Sequence, residues 1–215
     1  YQDAIATAIN TDFDSRSFHE SQLLDILGSV LETQHAIPHL RRWMKPSKRH
    51  TELLFISNRL EVQYQPKGVI GIIVPWNFPV YLALGPLVAA IAAGNRVMIK
   101  LSEFTPTTNA QVKQMLSEIF SEDEVAVFGE EIQDPSKFTS LAFNHIVFTG
   151  SPAVGHIVMR TAAENLTPVT LELGGKSPAL VTRNYDITDA AKRILHGKAT
   201  NSGQICVSPD YALIP

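Results

Sequence analysis

One apolar run constrains the fold more than any other stretch. Val69, Ile70, Gly71, Ile72, Ile73 and Val74 follow one another without a polar residue and are rich in β-branched side chains. That is the pattern of a strand buried on both faces, which needs a covering layer on each side. The sequence after it supplies the layers. Residues 80–93 read as a helix stopped by Gly94-Asn95, and 97–99 as a second strand. Thr105-Pro106 reads as an N-cap followed by proline at the first helical position, with a helix running towards Phe120. Further strands are expected at 125–128, 146–148 and 169–171, with a candidate sixth at 179–181. Helices are expected at 152–165 and 186–200. Strands alternating with helices argue for a right-handed parallel α/β sheet. Ligands of such sheets sit at the C-terminal strand ends. Pro75-Trp76-Asn77, Lys100, Gly150-Ser151 and Glu172 all fall there.

The residues ahead of this unit read differently. Ser17-Phe18-His19-Glu20 has the spacing of a capping box. Leu23, Leu27, Val30, Leu31 and Gln34 then keep helical spacing, predicting a long amphipathic helix interrupted by Pro38 and again by Pro46. Lys45, Lys48, Arg49 and His50 read as a solvated basic turn. Leu60, Val62 and Tyr64 alternate with polar neighbours as a half-exposed strand does.

Composition narrows the classes. The 215 residues are 45% hydrophobic, enough for a real core. A net charge of −3 gives no basic footprint for nucleic acid. The apolar stretch 80–93 is too short to span a bilayer. No signal peptide is visible, and the first residue is Tyr1 rather than Met. The single cysteine excludes an intrachain disulfide framework and fits a reducing cytoplasm. The seven histidines show no metal-ligand spacing, so no metal is expected.

Two stretches carry chemistry. Thr170-Leu171-Glu172-Leu173-Gly174-Gly175-Lys176-Ser177-Pro178 sets a carboxylate at an apolar strand end before two glycines. Asn201-Ser202-Gly203-Gln204-Ile205-Cys206 sets the cysteine in a small polar loop. A thiol that attacks a carbonyl and a carboxylate that activates water suffice for covalent catalysis. A free thiol is only about 3% thiolate at pH 7, so the loop amides must assist it. Taken alone, Cys206 also fits an inert small hydrophobe, Glu172 a turn-capping carboxylate and Asn77 a turn asparagine. Burial of Glu172 is expected to raise its pKa. Gly150-Ser151 is a glycine-serine entry into a helix, a usable anion site but a weak motif, and there is no G-x-G-x-x-G.

Together, Glu172-Leu173-Gly174-Gly175-Lys176-Ser177-Pro178 and Gly203-Gln204-Ile205-Cys206 resemble the active-site signature pair of the aldehyde dehydrogenase superfamily. Pro75-Trp76-Asn77-Phe78-Pro79 and Phe148-Thr149-Gly150-Ser151 agree, in the family's order. The match through Tyr81-Leu82-Ala83-Leu84-Gly85-Pro86, Asn95-Arg96-Val97-Met98-Ile99-Lys100 and Ser208-Pro209-Asp210-Tyr211 most resembles the coniferyl aldehyde dehydrogenase branch.

The resemblance implies a Rossmann-like open parallel sheet with helices on both faces. It also implies three parts: N-terminal helices and oligomerisation strands over 1–66, an NAD-binding domain over 67–200, and the start of a catalytic domain over 201–215. Cys206 would be the nucleophile, Glu172 the general base, and Asn77 an oxyanion donor alongside the Cys206 amide. Ser151 would contact the cofactor pyrophosphate, and Lys100 and Glu103 would hold the adenosine ribose. Trp76 would line the cofactor cleft, with Gly150 and Leu173 completing the set. The carboxylate of Glu103 favours NAD over NADP. Leu101 replaces the family's usual proline, which is expected to loosen the loop holding Lys100 and Glu103. A cytoplasmic homodimer acting on an aromatic aldehyde such as coniferaldehyde is implied. Family members are longer than this chain, which is therefore expected to be a fragment, inactive alone. A non-catalytic NAD-binding module, a redox-free thiol hydrolase and an acyl-reducing relative are the competing readings; the last has no need of Glu172.

Overall fold

The computed structural model describes residues 1–132 and 134–215. Its helices are α1 (Gln2–Phe13), α2 (Phe18–Ser21), α3 (Gly28–Trp43), α4 (Tyr81–Ala92), α5 (Pro106–Ser117), α6 (Pro135–Thr139), α7 (Pro152–Ala163) and α8 (Ile187–Ala199). Its strands are β1 (Ser47–Lys48), β2 (Glu61–Val62), β3 (Val69–Ile73), β4 (Arg96–Lys100), β5 (Val125–Phe128), β6 (His145–Gly150), β7 (Val169–Leu173), β8 (Ser177–Leu180) and β9 (Pro209–Leu213).

The expected parallel sheet is present, with strand order β5-β4-β3-β6-β7 and every pairing parallel. Residue parity shows why β3 had to be apolar throughout. Ile70 and Ile72 enter a core with Val97 and Ile99 of β4, Leu87 of α4 and Val112 of α5. Val69 and Ile73 pack against a second core built on Phe138, Ile146, Phe148 and Val158. Alternate side chains thus feed opposite faces, as a doubly covered strand requires. The chain order runs outward from β3 in one direction and from β6 in the other. The crevice between their C-terminal ends is the topological switch point, where such sheets bind ligands.

Strand β8 departs from the expected sixth strand of this sheet. It pairs with β9 in a separate two-stranded parallel sheet. The basic stretch read as a solvated turn also differs: Ser47 and Lys48 form β1, paired antiparallel with β2.

The N-terminal segment corrects the sequence reading most. Helix α1, which no motif announced, buries Ile5 and Ile9 against α5. From Phe18 to Trp43 the chain is continuously helical, through a π-turn at Gln22–Leu27. Pro38 lies inside α3 instead of interrupting it. The Gln34 carbonyl it leaves without a donor sits on an exposed stretch, where water can serve it. The buried side is also the opposite of the expected one. Leu23, Leu27, Val30 and Leu31 are exposed, whereas Ser21, Asp25 and Ser29 are buried.

Electrostatics explains that inversion. Asp25 is fully buried and its Oδ1 accepts from the Val80 and Tyr81 amides, both at 3.0 Å, at the start of α4. It caps a helix far away in sequence, satisfying donors that α4 cannot satisfy itself. Its Oδ2 lies 2.8 Å from Nη2 of the equally buried Arg16. Burial pushes the Asp25 carboxyl up, and Arg16 with the two α4 amides only partly offsets this. Arg16 in turn lies over the rings of Phe13 and Phe78, 5.1 Å from each centroid. Gly28 lets this helix approach α4, since a Cβ there would meet the Tyr81 ring at 2.9 Å.

Helix α5 is capped the same way. Thr105 makes no side-chain capping bond to its amides; instead Asp12 of α1 accepts from the Thr107 amide at 3.0 Å and the Thr108 amide at 2.8 Å. Ser17 likewise forms no capping bond, so the predicted capping box is absent. Asp25→Ala leaves Arg16 buried without its counter-charge and α4 uncapped. The expected loss is about 3–5 kcal/mol, read as a lower midpoint in denaturant unfolding at unchanged slope.

Candidate active site

The crevice at the switch point opens into a cleft of ≈ 580 Å³. Its walls come from the β3–α4 loop, the β6–α7 turn, the end of β7 and the loop after α8. Seven of the nine residues singled out from the sequence line it: Trp76, Asn77, Gly150, Ser151, Glu172, Leu173 and Cys206. Lys100 and Glu103 do not. They lie one strand over, at the end of β4.

Each wall has a local cause. Strand β7 pairs with β6 in the register Thr149↔Glu172 and Gly150↔Leu173, so the glycine-serine turn and the carboxylate emerge at one level. Ser151 starts α7, and its Oγ accepts from the Val154 amide at 3.3 Å. A Cβ on Gly150 would stand 2.4 Å from the Phe148 ring, so the core beneath permits no side chain there. The positive end of a twelve-residue helix therefore faces the cleft behind a bare backbone turn.

The loop that carries Cys206 opens on a left-handed turn. Asn201, Ser202 and Gly203 have φ of 47°, 55° and 78°. Only glycine adopts this region at ease, and asparagine tolerates it better than most. Asn201 is buried, and its Nδ2 donates to the Asn77 carbonyl at 3.0 Å. The Asn77 amide in turn donates to the Gln204 carbonyl at 2.8 Å. Arg16 reaches the same Asn77 carbonyl at 3.2 Å. Asn77 and the cysteine loop are thus bonded in both directions. One N–H of the Asn77 amide is engaged by the loop, and among the described residues the other has no acceptor.

Cys206 is exposed and in no disulfide. Glu172 is also exposed in this chain: it stands at the end of the edge strand of the sheet, with no strand beyond it among the described residues. The expected loosening at Leu101 is not seen either. Leu101 is buried and its amide donates to the Phe128 carbonyl at 2.7 Å, a bond that proline cannot make. It extends the β4–β5 pairing by one residue and fixes the loop. Lys100 is buried, with Nζ 3.1 Å from Oε2 of Glu103 and 3.1 Å from the Leu101 carbonyl. Glu103's own backbone amide, and then Lys100, hold its carboxyl below the usual glutamate range, against some desolvation.

Sequence reasoning missed Arg16, Glu20, Asp25 and Asn201 as parts of the site. The polar stripe Ser21-Asp25-Ser29, at helical spacing, was a signal available for Asp25. Among the described residues no group of three or more His, Cys, Asp or Glu could hold a metal ion. Among them, too, no helix is long and apolar enough to cross a membrane.

A parallel sheet that turns its switch point into a cleft, with an accessible cysteine on one lip and a carboxylate on the other, defines a class of α/β proteins that pair a ligand-binding crevice with a thiol. Within that class, the chain belongs to the aldehyde dehydrogenase family, whose profile matches residues 17–215. A probable coniferyl aldehyde dehydrogenase of Pseudomonas aeruginosa is 51% identical over 214 residues, covering 100% of this chain and 45% of that protein. A coniferyl aldehyde dehydrogenase of a Pseudomonas species is 45% identical, again over 100% of this chain and 44% of its own length. The substrate-bound AldH of Staphylococcus aureus superposes with a TM-score of 0.92 at 38% identity, covering 97% of this chain and 45% of that one. A Mycobacterium tuberculosis aldehyde dehydrogenase complexed with NAD+ gives 0.82 at 28% identity, over 100% and 47%. The chain spans about half the length of the curated relatives it matches.

The lowered pKa of Glu103 has a sign that can be checked. The Lys100–Glu103 tie stabilises the fold above the ordinary glutamate pKa and is lost only as pH falls through the lower, folded value. Carboxyl NMR titration should place the Glu103 midpoint below that of an ordinary glutamate, and Lys100→Met should move it upward.

Proposed function

We propose that this chain is the cofactor-binding half and nucleophile loop of an NAD-dependent dehydrogenase that oxidises an aldehyde to its carboxylic acid. One observation carries the reading: Cys206, Glu172 and Asn77 line one cleft at the switch point of the sheet, in a member of the aldehyde dehydrogenase family.

A dinucleotide would run from this cleft to the neighbouring end of β4. The amides at the start of α7, behind Gly150 and Ser151, suit the pyrophosphate. Lys100 and Glu103 suit the adenosine ribose, with Trp76 and Leu173 along the wall. The NAD+ complex of the Mycobacterium tuberculosis relative supports the assignment. An ionised Glu103 repels a 2′-phosphate, which favours NAD over NADP. When bound, the nicotinamide supplies the acceptor for the hydride lost by the substrate carbon.

The chain's own residues do the rest. The Cys206 thiolate adds to the aldehyde carbon, forming a C–S bond and an oxyanion. The free N–H of the Asn77 amide and the Cys206 backbone amide hold that oxyanion. Loss of hydride leaves a thioester on Cys206. Glu172 takes a proton from water, whose oxygen attacks the thioester carbon; the C–S bond breaks, and the acid and the thiolate are released.

An aromatic, coniferaldehyde-type aldehyde is the proposed substrate, supported by the names of the relatives at 45–51% identity. Both Cys206 and Glu172 stand open on this chain. We assign the remaining walls of the substrate pocket to sequence that the longer relatives carry, so this chain alone turns over poorly or not at all. The expected full protein is a cytoplasmic homodimer, with β1 and β2 in its oligomerisation region.

The test is formation of reduced nicotinamide with coniferaldehyde and NAD, in a full-length protein containing this chain. Turnover is expected there and not with the 215 residues alone. Cys206→Ala should abolish it, and Asn77→Ala should lower kcat by about 10²–10³. Glu172→Gln should give one burst of reduced cofactor and then stall with a thioester on Cys206. A full-length protein without turnover, and with Cys206 inert to iodoacetamide, would leave the non-catalytic binding module as the reading.

A further inference from the structure

We infer that Glu20 is a positioning residue for the nucleophile turn: it clamps Asn201 and so fixes the Cys206 loop against Asn77. The inference rests on the reading of Cys206 as nucleophile and assigns Glu20 a role the expected capping box did not predict.

Three observations meet here. Oε1 of Glu20 accepts from the Asn201 backbone amide at 2.5 Å, across 181 residues of sequence. The turn it grips holds three successive residues in the left-handed region, two of them not glycine. Such a backbone persists only where its surroundings over-determine it. The gripped residue is also the hub of the site, since the Asn201 side chain donates to the Asn77 carbonyl and the Gln204 carbonyl closes back on Asn77.

The geometry of the helix makes the clamp specific. Asp25, five residues beyond Glu20, holds the amides of Val80 and Tyr81 just after Asn77. The helix is continuous between the two, passing from the turn that carries Glu20 into a π-turn at Gln22–Leu27 that carries Asp25. One helix therefore holds both lips of the cleft: Asp25 the Asn77 lip and Glu20 the Cys206 lip. The distance between oxyanion donor and thiol is set by a rigid element, not by two independent loops. Local side-chain capping of α2 by Ser17 is absent, so Glu20 is free to reach across.

The experiment uses the full-length protein with Glu20→Ala and Glu20→Gln. Glutamine keeps an oxygen that can accept from Asn201, and alanine does not. Glu20→Ala is expected to lower kcat by about 10–100-fold, the scale of a small misplacement of reacting groups. The KM for NAD should stay within about twofold. Glu20→Gln should stay within about threefold of wild type, since a neutral acceptor replaces a charged one. Amide exchange at Asn201 should quicken about tenfold in Glu20→Ala and not in Glu20→Gln. Wild-type kcat and unchanged Asn201 protection in Glu20→Ala would overturn the inference. So would equal losses in both variants that follow a fall in NAD binding and in the unfolding midpoint, because Glu20 would then be only structural. If the wild-type protein oxidises no aldehyde, the proposed function fails, and exchange at Asn201 still decides whether Glu20 holds the turn.

Discussion

The structure depends on one buried ion pair. Arg16 and Asp25 lie out of water 2.8 Å apart, where two unpaired charges would each cost several kcal/mol. They are retained because each also does something a hydrophobic pair cannot. Asp25 closes the amide end of α4, and Arg16 holds the Asn77 carbonyl while lying between two aromatic rings. The contact is a close charge pair more than an aligned hydrogen bond, so its strength comes from the low dielectric around it. Because of it, the N-terminal helices belong to the site rather than standing apart from it.

The same logic repeats at α5, which Asp12 caps from α1. Both of the sheet's first two helices are thus capped by carboxylates from the N-terminal segment. A cap of this kind fixes more than the helix. The loops entering α4 and α5 run from the C-terminal ends of β3 and β4, and they carry Asn77 on one side and Lys100 with Glu103 on the other. Anchoring the helix starts from behind holds those loops over the sheet while their outward faces stay open to a ligand.

The sheet was legible because its signal is local. An apolar run such as 69–74 has no stable alternative to a doubly covered strand, and the intervening helices carry their own stops, as Gly94 does with φ 80°. Cys206, Glu172 and Asn77 were legible as motif residues, and the topology places them on one cleft. What was hidden is everything made by long-range polar pairing. Ser17 and Thr105 had the right spacing to cap, yet Asp12 serves α5 and Glu20 turns away to Asn201, because a partner far along the chain satisfies more donors than a neighbour can. The stripe Leu23, Leu27, Val30 and Leu31 obeyed helical period but faces outward, since the buried demand on that helix is electrostatic. That Glu172 ends an edge strand was hidden as well, because an edge strand looks like a central one in sequence. Leu101 looked like a defect because its amide bond to Phe128 cannot be seen without the partner strand.

The clamp between Glu20 and Asn201 also says something about the order in which the molecule forms. Chains are made and fold from the N-terminus, and contacts between distant residues wait for their loops to close. Arg16 finds Asn77 across 61 residues, whereas Glu20 must wait for a partner 181 residues away. The helix that holds the cleft has the nearer partner on the sheet, and the cysteine turn the more distant one. The Cys206 turn thus docks onto a scaffold already shaped to receive it.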